Sequence, residues 1–149
     1  MLNFADFDEK IEKELQFYQR HITAVNSKEI PYGFYEVKVI KLELTKHKSS
    51  GRPVLICCFE ILTGKSKGKL IFMSKLINNA LALHRCNEFL RSLSRIPVSF
   101  ECFPQYGGLI MDIFNEIKDT REYELNYYKD ARGFDSYEIN HIFIKTDAL

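Results

Sequence analysis

Residues 30–74 constrain the fold more than any other part of the chain, because their pattern predicts three consecutive β-strands. Residues 35–44 are rich in Val, Ile and Leu, and Lys48-Ser-Ser-Gly51 then interrupts the apolar run where a short hairpin loop would place Gly51 in a left-handed conformation. Pro53 begins a second run, apolar almost without interruption to Ile61, as in a strand covered on both faces. A turn from Gly64 to Gly68 leads into a third strand, so we expect a meander.

This meander is strongly basic. Residues 37–75 hold nine cationic and two acidic side chains, a net charge of +7, whereas residues 1–36 and 76–149 each carry −3. The total of +1 conceals this segregation. A basic face on an otherwise acidic body is the surface that a polyanionic ligand requires. The alternative is a scattered, solvated surface, because strand lysines also protect sheet edges.

Length and cysteine content indicate an intracellular protein. With 149 residues, the chain fits a single domain with its own core. Cys57, Cys58, Cys86 and Cys102 show no CxxC spacing, which favours buried free thiols. Acidic residues occupy positions 6, 8 and 9, where a secretory signal would need a basic and then an apolar segment, and no apolar run approaches the length of a membrane span. We therefore expect a cytoplasmic protein without membrane contact.

Three segments have helical periodicity. Residues 8–22 carry an apolar stripe opposite an acidic face, so residues 1–29 are predicted to form an amphipathic helix and a connector, with residues 30–149 as the main domain. The stripe in residues 78–93 predicts a second helix capped by Asn78. A third helix is predicted over residues 108–118, after a short edge strand or extended connector at residues 96–103.

The last segment predicts a β-hairpin, with strands at residues 121–129 and 134–144 joined by Asp130-Ala-Arg-Gly133. In the first strand of the chain the alternation changes phase near Val39-Ile40, which indicates a bulge or bend. Long, bent first strands suit small closed barrels. The fold class expected is α+β, mostly β. It is an OB-like barrel of about five strands with an N-terminal helix and one or two helices before the closing hairpin.

The residues do not support catalysis. The four histidines lie far apart in different elements, without the spacing of a metal site, and the chain has no glycine-rich phosphate loop and no nucleophile elbow. His84 and Cys86, two positions apart on a predicted helix, point in different directions. We expect a protein that is not an enzyme and uses no cofactor or metal.

Binding of single-stranded nucleic acid fits the residues better, because cations that follow phosphates and rings that stack on bases suffice for it. In OB folds the ligand crosses strands 2 and 3 between the loop joining strands 1 and 2 and the loop of the closing hairpin. Both loops are basic here, and Lys67 and Lys69 would line the cleft floor. Phe59 and Phe72 are expected in the core. The predicted interface comprises Tyr35, Lys41, Lys46, Lys48, Arg52, Lys65, Lys67, Lys69, Lys129, Arg132 and Tyr137.

Several short motifs resemble a family of small phage proteins that are regarded as single-stranded-DNA-binding-like OB folds of early replication and recombination regions. They are residues 30–37 (IPYGFYEV), Ser50-Gly-Arg-Pro53, Phe59-Glu-Ile61 and Lys67-Gly-Lys69, with a weaker match around Gly133-Phe134 and residues 137–139. Tyr32 and the acidic helix depart from the pattern, and the chain ends without the acidic tail that many such proteins use to recruit partners.

The resemblance implies a phage or prophage accessory protein that binds single-stranded DNA during replication or recombination in the host cytoplasm. A second class stays open: a phage-encoded inhibitor of a host enzyme or defence system, built on the same fold and docking through the N-terminal helix. The expected partner is single-stranded DNA. A host or phage protein bound by that helix, and a homodimer, are left open.

Overall fold

The structure is a computed structural model and describes residues 30–94 and 96–145. The predicted acidic helix and connector of residues 1–29 lie outside the described residues. The described elements are β1 (Gly33–Lys46), β2 (Pro53–Ile61), β3 (Leu70–Leu76), α1 (Ala80–Leu93), α2 (Phe103–Ile117), β4 (Arg121–Lys129) and β5 (Asp135–Ile144). The protein is therefore of the α+β class and mostly β.

β1 is the central strand of a single antiparallel sheet with the order β3-β2-β1-β4-β5. β2 pairs with β1 from Val37 to Lys46, whereas β4 pairs with Gly33 to Val37. The register with β2 shifts between Val39 and Lys41, so β1 has one extra residue there. This confirms the predicted bulge, and a bulge bends its strand and increases the local twist.

The two edge strands, β3 and β5, approach each other. The hydroxyl of Tyr137 on β5 donates a hydrogen bond to the carbonyl oxygen of Phe72 on β3, at 3.1 Å. In a flat sheet of five strands these edges would lie about 19 Å apart, at about 4.8 Å between neighbours. The sheet therefore curls until one side chain reaches across the seam between its edges.

The main core lies on one face of the sheet, where α2 packs against β1 and α1 lies near β3 and β5. Phe59, predicted to be in the core, is fully buried there and meets Phe89 of α1 edge to face, with ring centroids 6.3 Å apart. On the opposite face of β2, Val54 and Ile56 are buried and pack with Phe72. The prediction that β2 is covered on both faces is confirmed.

The apolar stripe predicted for helix α1 faces the core, since Cys86, Leu90 and Leu93 are fully buried. Its cap differs from the prediction by one position. The carbonyl oxygen of the Asn79 side chain accepts a hydrogen bond from the backbone N–H of Ala82 at 2.8 Å. Asn79 thus satisfies one of the N–H groups that the first turn leaves without a partner.

The predicted start of the third helix is wrong. Helix α2 begins at Phe103 rather than residue 108, and residues 96–102 form a connector without strand structure. Pro104 lies in the first turn, where the N–H that proline lacks would have had no helical partner. The buried face consists of Tyr106, Ile110, Ile113 and Ile117. The packing of this face stabilises the helix despite the low helix propensity of Gly107 and Gly108.

Cysteine reactivity tests this burial. Burial raises the pKa of Cys57 well above its usual value, that of Cys58 to about 12 and that of Cys86 to about 11, whereas Cys102 is exposed. Since the thiolate is the nucleophile, we expect Cys102 alone among these four cysteines to react with a chromogenic thiol reagent in the native protein. All four should react in denaturant. Cys102→Ser should abolish the reaction of the native protein with the reagent, and Cys86→Ser should leave that reaction intact. Rapid labelling of Cys57 or Cys86 in the native protein would contradict the fold.

Candidate nucleic-acid interface

Lys46, Lys48 and Arg52 are presented by the loop between β1 and β2. The loop closes through backbone hydrogen bonds between residues 47 and 52, and Gly51 has φ +70°, as predicted for its position. The Arg52 guanidinium donates to the backbone oxygen of Asn78 at 3.4 Å, which ties the loop to the segment before α1. Lys48 and Arg52 are exposed and Lys46 is half-buried.

Lys65, Lys67 and Lys69 lie in the turn between β2 and β3. Gly64 and Gly68 have φ of +80° and +86°, a region that favours glycine, and the N–H of Gly68 donates to the carbonyl oxygen of Ile61 at 2.8 Å. The turn exposes Lys65 and Lys67 and leaves Lys69 half-buried.

The β4–β5 turn carries Lys129 and Arg132, both exposed. The Asp130 carboxylate holds this turn by accepting hydrogen bonds from the backbone N–H of Arg132 at 2.8 Å and of Phe134 at 3.0 Å. These bonds, the one from Phe134 first, lower the pKa of Asp130. The Arg132 guanidinium lies 5.5 Å from the centre of the Phe134 ring, which is 63% exposed. A cation and an open aromatic face are thus side by side.

Strand register decides which basic loops are neighbours. Ile61, at the end of β2, pairs with Val37 on one side of β1, and Tyr127, near the end of β4, pairs with Gly33 on the other side. The β2–β3 and β4–β5 turns therefore flank the first residues of β1. Lys46 pairs with Pro53 at the other end of β1, nine residues beyond Val37, or about 30 Å along an extended strand. Along β1, the β1–β2 loop is thus remote from the β4–β5 turn, with which it was expected to form one cleft.

Phe34 is the residue of β1 that lies between the two neighbouring basic turns. Its side chain is 65% exposed, and the ring of Tyr32, just before the strand, is 49% exposed. Neither residue belongs to the predicted interface, although their alternation with Tyr35, which packs against the core, indicated that they face away from it. Glu36 faces Glu124 across the ladder on the same side of the sheet, so acidic side chains border this surface. We call the β2–β3 turn, the β4–β5 turn and Phe34 the turn surface.

The structure places the two tyrosines of the predicted interface in packing roles. The Tyr35 ring packs against the core and its hydroxyl donates to the carbonyl oxygen of Pro31. Tyr137 stacks on Tyr127 with centroids 5.5 Å apart, and its hydroxyl is the donor that bridges to Phe72. Burial, and then the Asp135 carboxylate, raise the pKa of Tyr137, so this hydroxyl remains a donor.

Lys41 also differs from the other predicted cations. Its side chain is only 11% exposed, and its ammonium lies 3.1 Å from the Glu43 carboxylate. This placement keeps Lys41 on the sheet face near Cys58, with which it pairs in the ladder. The remaining predicted cations are loop or turn residues and strand ends.

The described part of the chain contains neither a cluster of metal ligands nor a membrane-spanning helix. Within residues 30–94 and 96–145, no group of three or more His, Cys, Asp or Glu side chains is placed to hold a metal ion. Of the helices in these ranges, none has the length and apolarity needed to cross a membrane.

The fold and these turns define an α+β protein built on a curled, five-stranded antiparallel sheet. The chain belongs to the family described as Protein of unknown function (DUF669), whose model matches residues 18–102. The match spans β1 to α1 with two of the three basic loops, and β4 and β5 lie beyond it. Among curated proteins, no match to this chain was found.

The seam between the sheet edges gives a test of this geometry. Tyr137→Phe removes the hydroxyl that bonds Phe72 and leaves a partly buried carbonyl without that donor, so unfolding should become about 0.5–1.5 kcal/mol easier. Tyr128→Phe is the matched control, because Tyr128 is 36% exposed and should change stability by less than about 0.5 kcal/mol. Urea unfolding followed by circular dichroism measures both. Equal effects of the two variants would mean that the bond across the seam contributes nothing.

Proposed function

We propose that this protein binds single-stranded DNA on an OB-like sheet, as an accessory protein of phage or prophage replication or recombination. Two features of the fold support the OB-like interpretation. The strand order β3-β2-β1-β4-β5 is that of a five-stranded Greek-key barrel cut open between β3 and β5. Tyr137 bridges that opening.

The observation that carries the proposal is the exposed ring of Phe34 between two basic turns. Single strands are held by cations along the backbone and by aromatic side chains under the bases, and each stacked base contributes about 1–3 kcal/mol. The turn surface offers both: Lys65, Lys67, Lys129 and Arg132 are exposed on the two turns that flank the first residues of β1, which include Phe34, and Phe134 lies beside Arg132. A duplex hides its base faces, so such a surface discriminates against it.

Fluorescence anisotropy with labelled single-stranded and duplex oligonucleotides tests the proposal. We expect tighter binding of the single strand, with log K falling against log[salt] by about 0.7 for each phosphate contact. Exchange of Lys65, Lys67 and Lys129 for Ala should weaken binding and reduce that slope by about 2. The Lys46→Ala, Lys48→Ala, Arg52→Ala triple variant measures the separate contribution of the β1–β2 loop.

Arg85→Ala with Lys118→Ala is the matched charge control, since both side chains are exposed on or beside the helices. Arg91 is unsuitable for this purpose because its guanidinium donates to the carbonyl oxygen of Val98 at 3.2 Å. The absence of binding at low salt would reject the proposal and favour the alternative class, a protein-binding inhibitor. An equal loss in the helix control would instead reject the placement of the DNA on the turn surface.

Phe34→Ala separates stacking from charge. If one base stacks on this ring, single-strand affinity should fall about 5-fold to 150-fold while the salt slope stays unchanged, because no phosphate contact is lost. Leu81→Ala, at a position on α1 that is 56% exposed, should leave affinity unchanged. The same anisotropy titration measures both variants. A Phe34→Ala protein with native affinity would show that bases do not lie on this ring.

A further inference from the structure

The second half of β5 is an apolar sheet edge. β5 pairs with β4 on one side, and it is the last strand in the sheet order. Ile142, Phe143 and Ile144 are 38%, 48% and 51% exposed, so three consecutive large apolar side chains meet solvent at this edge. Natural edges are normally protected by charges, proline or short length. Residues 139–144, Ile-Asn-His-Ile-Phe-Ile, contain neither proline nor a lysine, arginine or carboxylate.

The first half of β5 is already engaged, since Tyr137 bonds to β3 and Ile139 packs against the main core. A register shift in the ladder with β4 leaves Asn140 as an extra residue, because Leu125 pairs with Ile139 while Glu124 pairs with His141. Such a bulge bends the strand. Residues 141–144 lie beyond this bulge and, among the described strands, pair only with β4.

We propose that this edge pairs antiparallel with the same edge of a second copy of this chain, about a twofold axis at Phe143. In that register Phe143 faces Phe143 of the partner subunit, and Ile142 faces Ile144 of the partner subunit. The two Phe143 side chains then meet on one face of the joined sheet, and the Ile142–Ile144 pairs meet on the other. A twofold axis at Ile142 would instead place Ile144 against the partner's Asn140.

A second copy suits this edge because the three apolar residues are self-complementary about their centre. A twofold interface uses the same patch on both subunits, so a segment that matches its own reverse forms a closed dimer. Strand addition supplies main-chain hydrogen bonds, and the alternating side chains supply specificity. An edge of four residues buries less than the roughly 1,200–2,000 Å² that is typical of stable interfaces, so the dimer should dissociate on dilution.

A charge-exchange experiment on the full chain, without nucleic acid, tests the register. Phe143→Lys and Phe143→Glu each place like charges directly opposite across the axis, which destabilises a strand pair. In sedimentation velocity, the native protein should show dimer at high concentration and each variant alone should be monomeric. A 1:1 mixture of the two variants should recover the dimer, since opposite charges then face each other.

Folding of the variants is checked by circular dichroism. Phe143 pairs with Glu122 of β4, so lysine at this exposed position gains an opposite charge within its own chain. Leu81→Lys is the matched control and should dimerise like the native protein. The inference is overturned if the native protein is monomeric up to about 0.5 mM, where even a weak association near −4 kcal/mol would be visible. It is also overturned if the mixture remains monomeric, if Leu81→Lys abolishes the dimer, or if open oligomers form.

Discussion

The pairing of β1 with two partners at once is the constraint on which the rest of the structure depends. Its fourteen residues are long enough to hold β2 from Val37 onward and β4 on the residues before it. The bulge after Val39 bends this strand, and the sheet follows the bend until Tyr137 reaches Phe72. Without a long, bent central strand, β4 would lie on another part of the sheet, and the β2–β3 and β4–β5 turns would not flank the same residues.

This arrangement also separates the aromatic side chains by role. Phe59 and Tyr123 are fully buried, and Tyr137 closes the seam, so these rings contribute to stability rather than to recognition. Phe34 remains largely exposed because it alternates with Tyr35 and Val37, which face the core, and Phe134 remains so because it lies in the β4–β5 turn. Full burial of either ring would stabilise the folded state by about 1.5–3 kcal/mol. A ring that stays at the surface does not make this contribution. Exposed rings beside cations are therefore the more informative feature of this surface.

Local patterns predicted the elements better than their ends. The three strands of the meander, the bulge in β1, the stripe of α1 and the closing hairpin all have periodicities that neighbouring residues specify, and the structure contains each of them. The start of α2 escaped prediction because Gly107 and Gly108 disfavour helix locally, whereas the burial of Tyr106 outweighs them. The same limit applies to the interface. The sequence showed which cations were available. The position of Lys41 opposite Cys58 of β2 and the packing of Tyr35 against the core depend on contacts with residues distant in the chain.

The sequence by itself determined the α+β composition, the basic character of the meander and the glycines that allow its turns, because charge and backbone preference are properties of single residues and their neighbours. Only the tertiary structure decided which turns meet. The register of β1 with β2 and β4 groups the β2–β3 turn with the β4–β5 turn around Phe34, and it sends the β1–β2 loop to the opposite end of β1. Among the described strands, it also leaves the second half of β5 paired on one side only, with β4. Pairing between strands far apart in sequence depends on the total apolar surface that the whole sheet buries. A local sequence pattern does not specify that total.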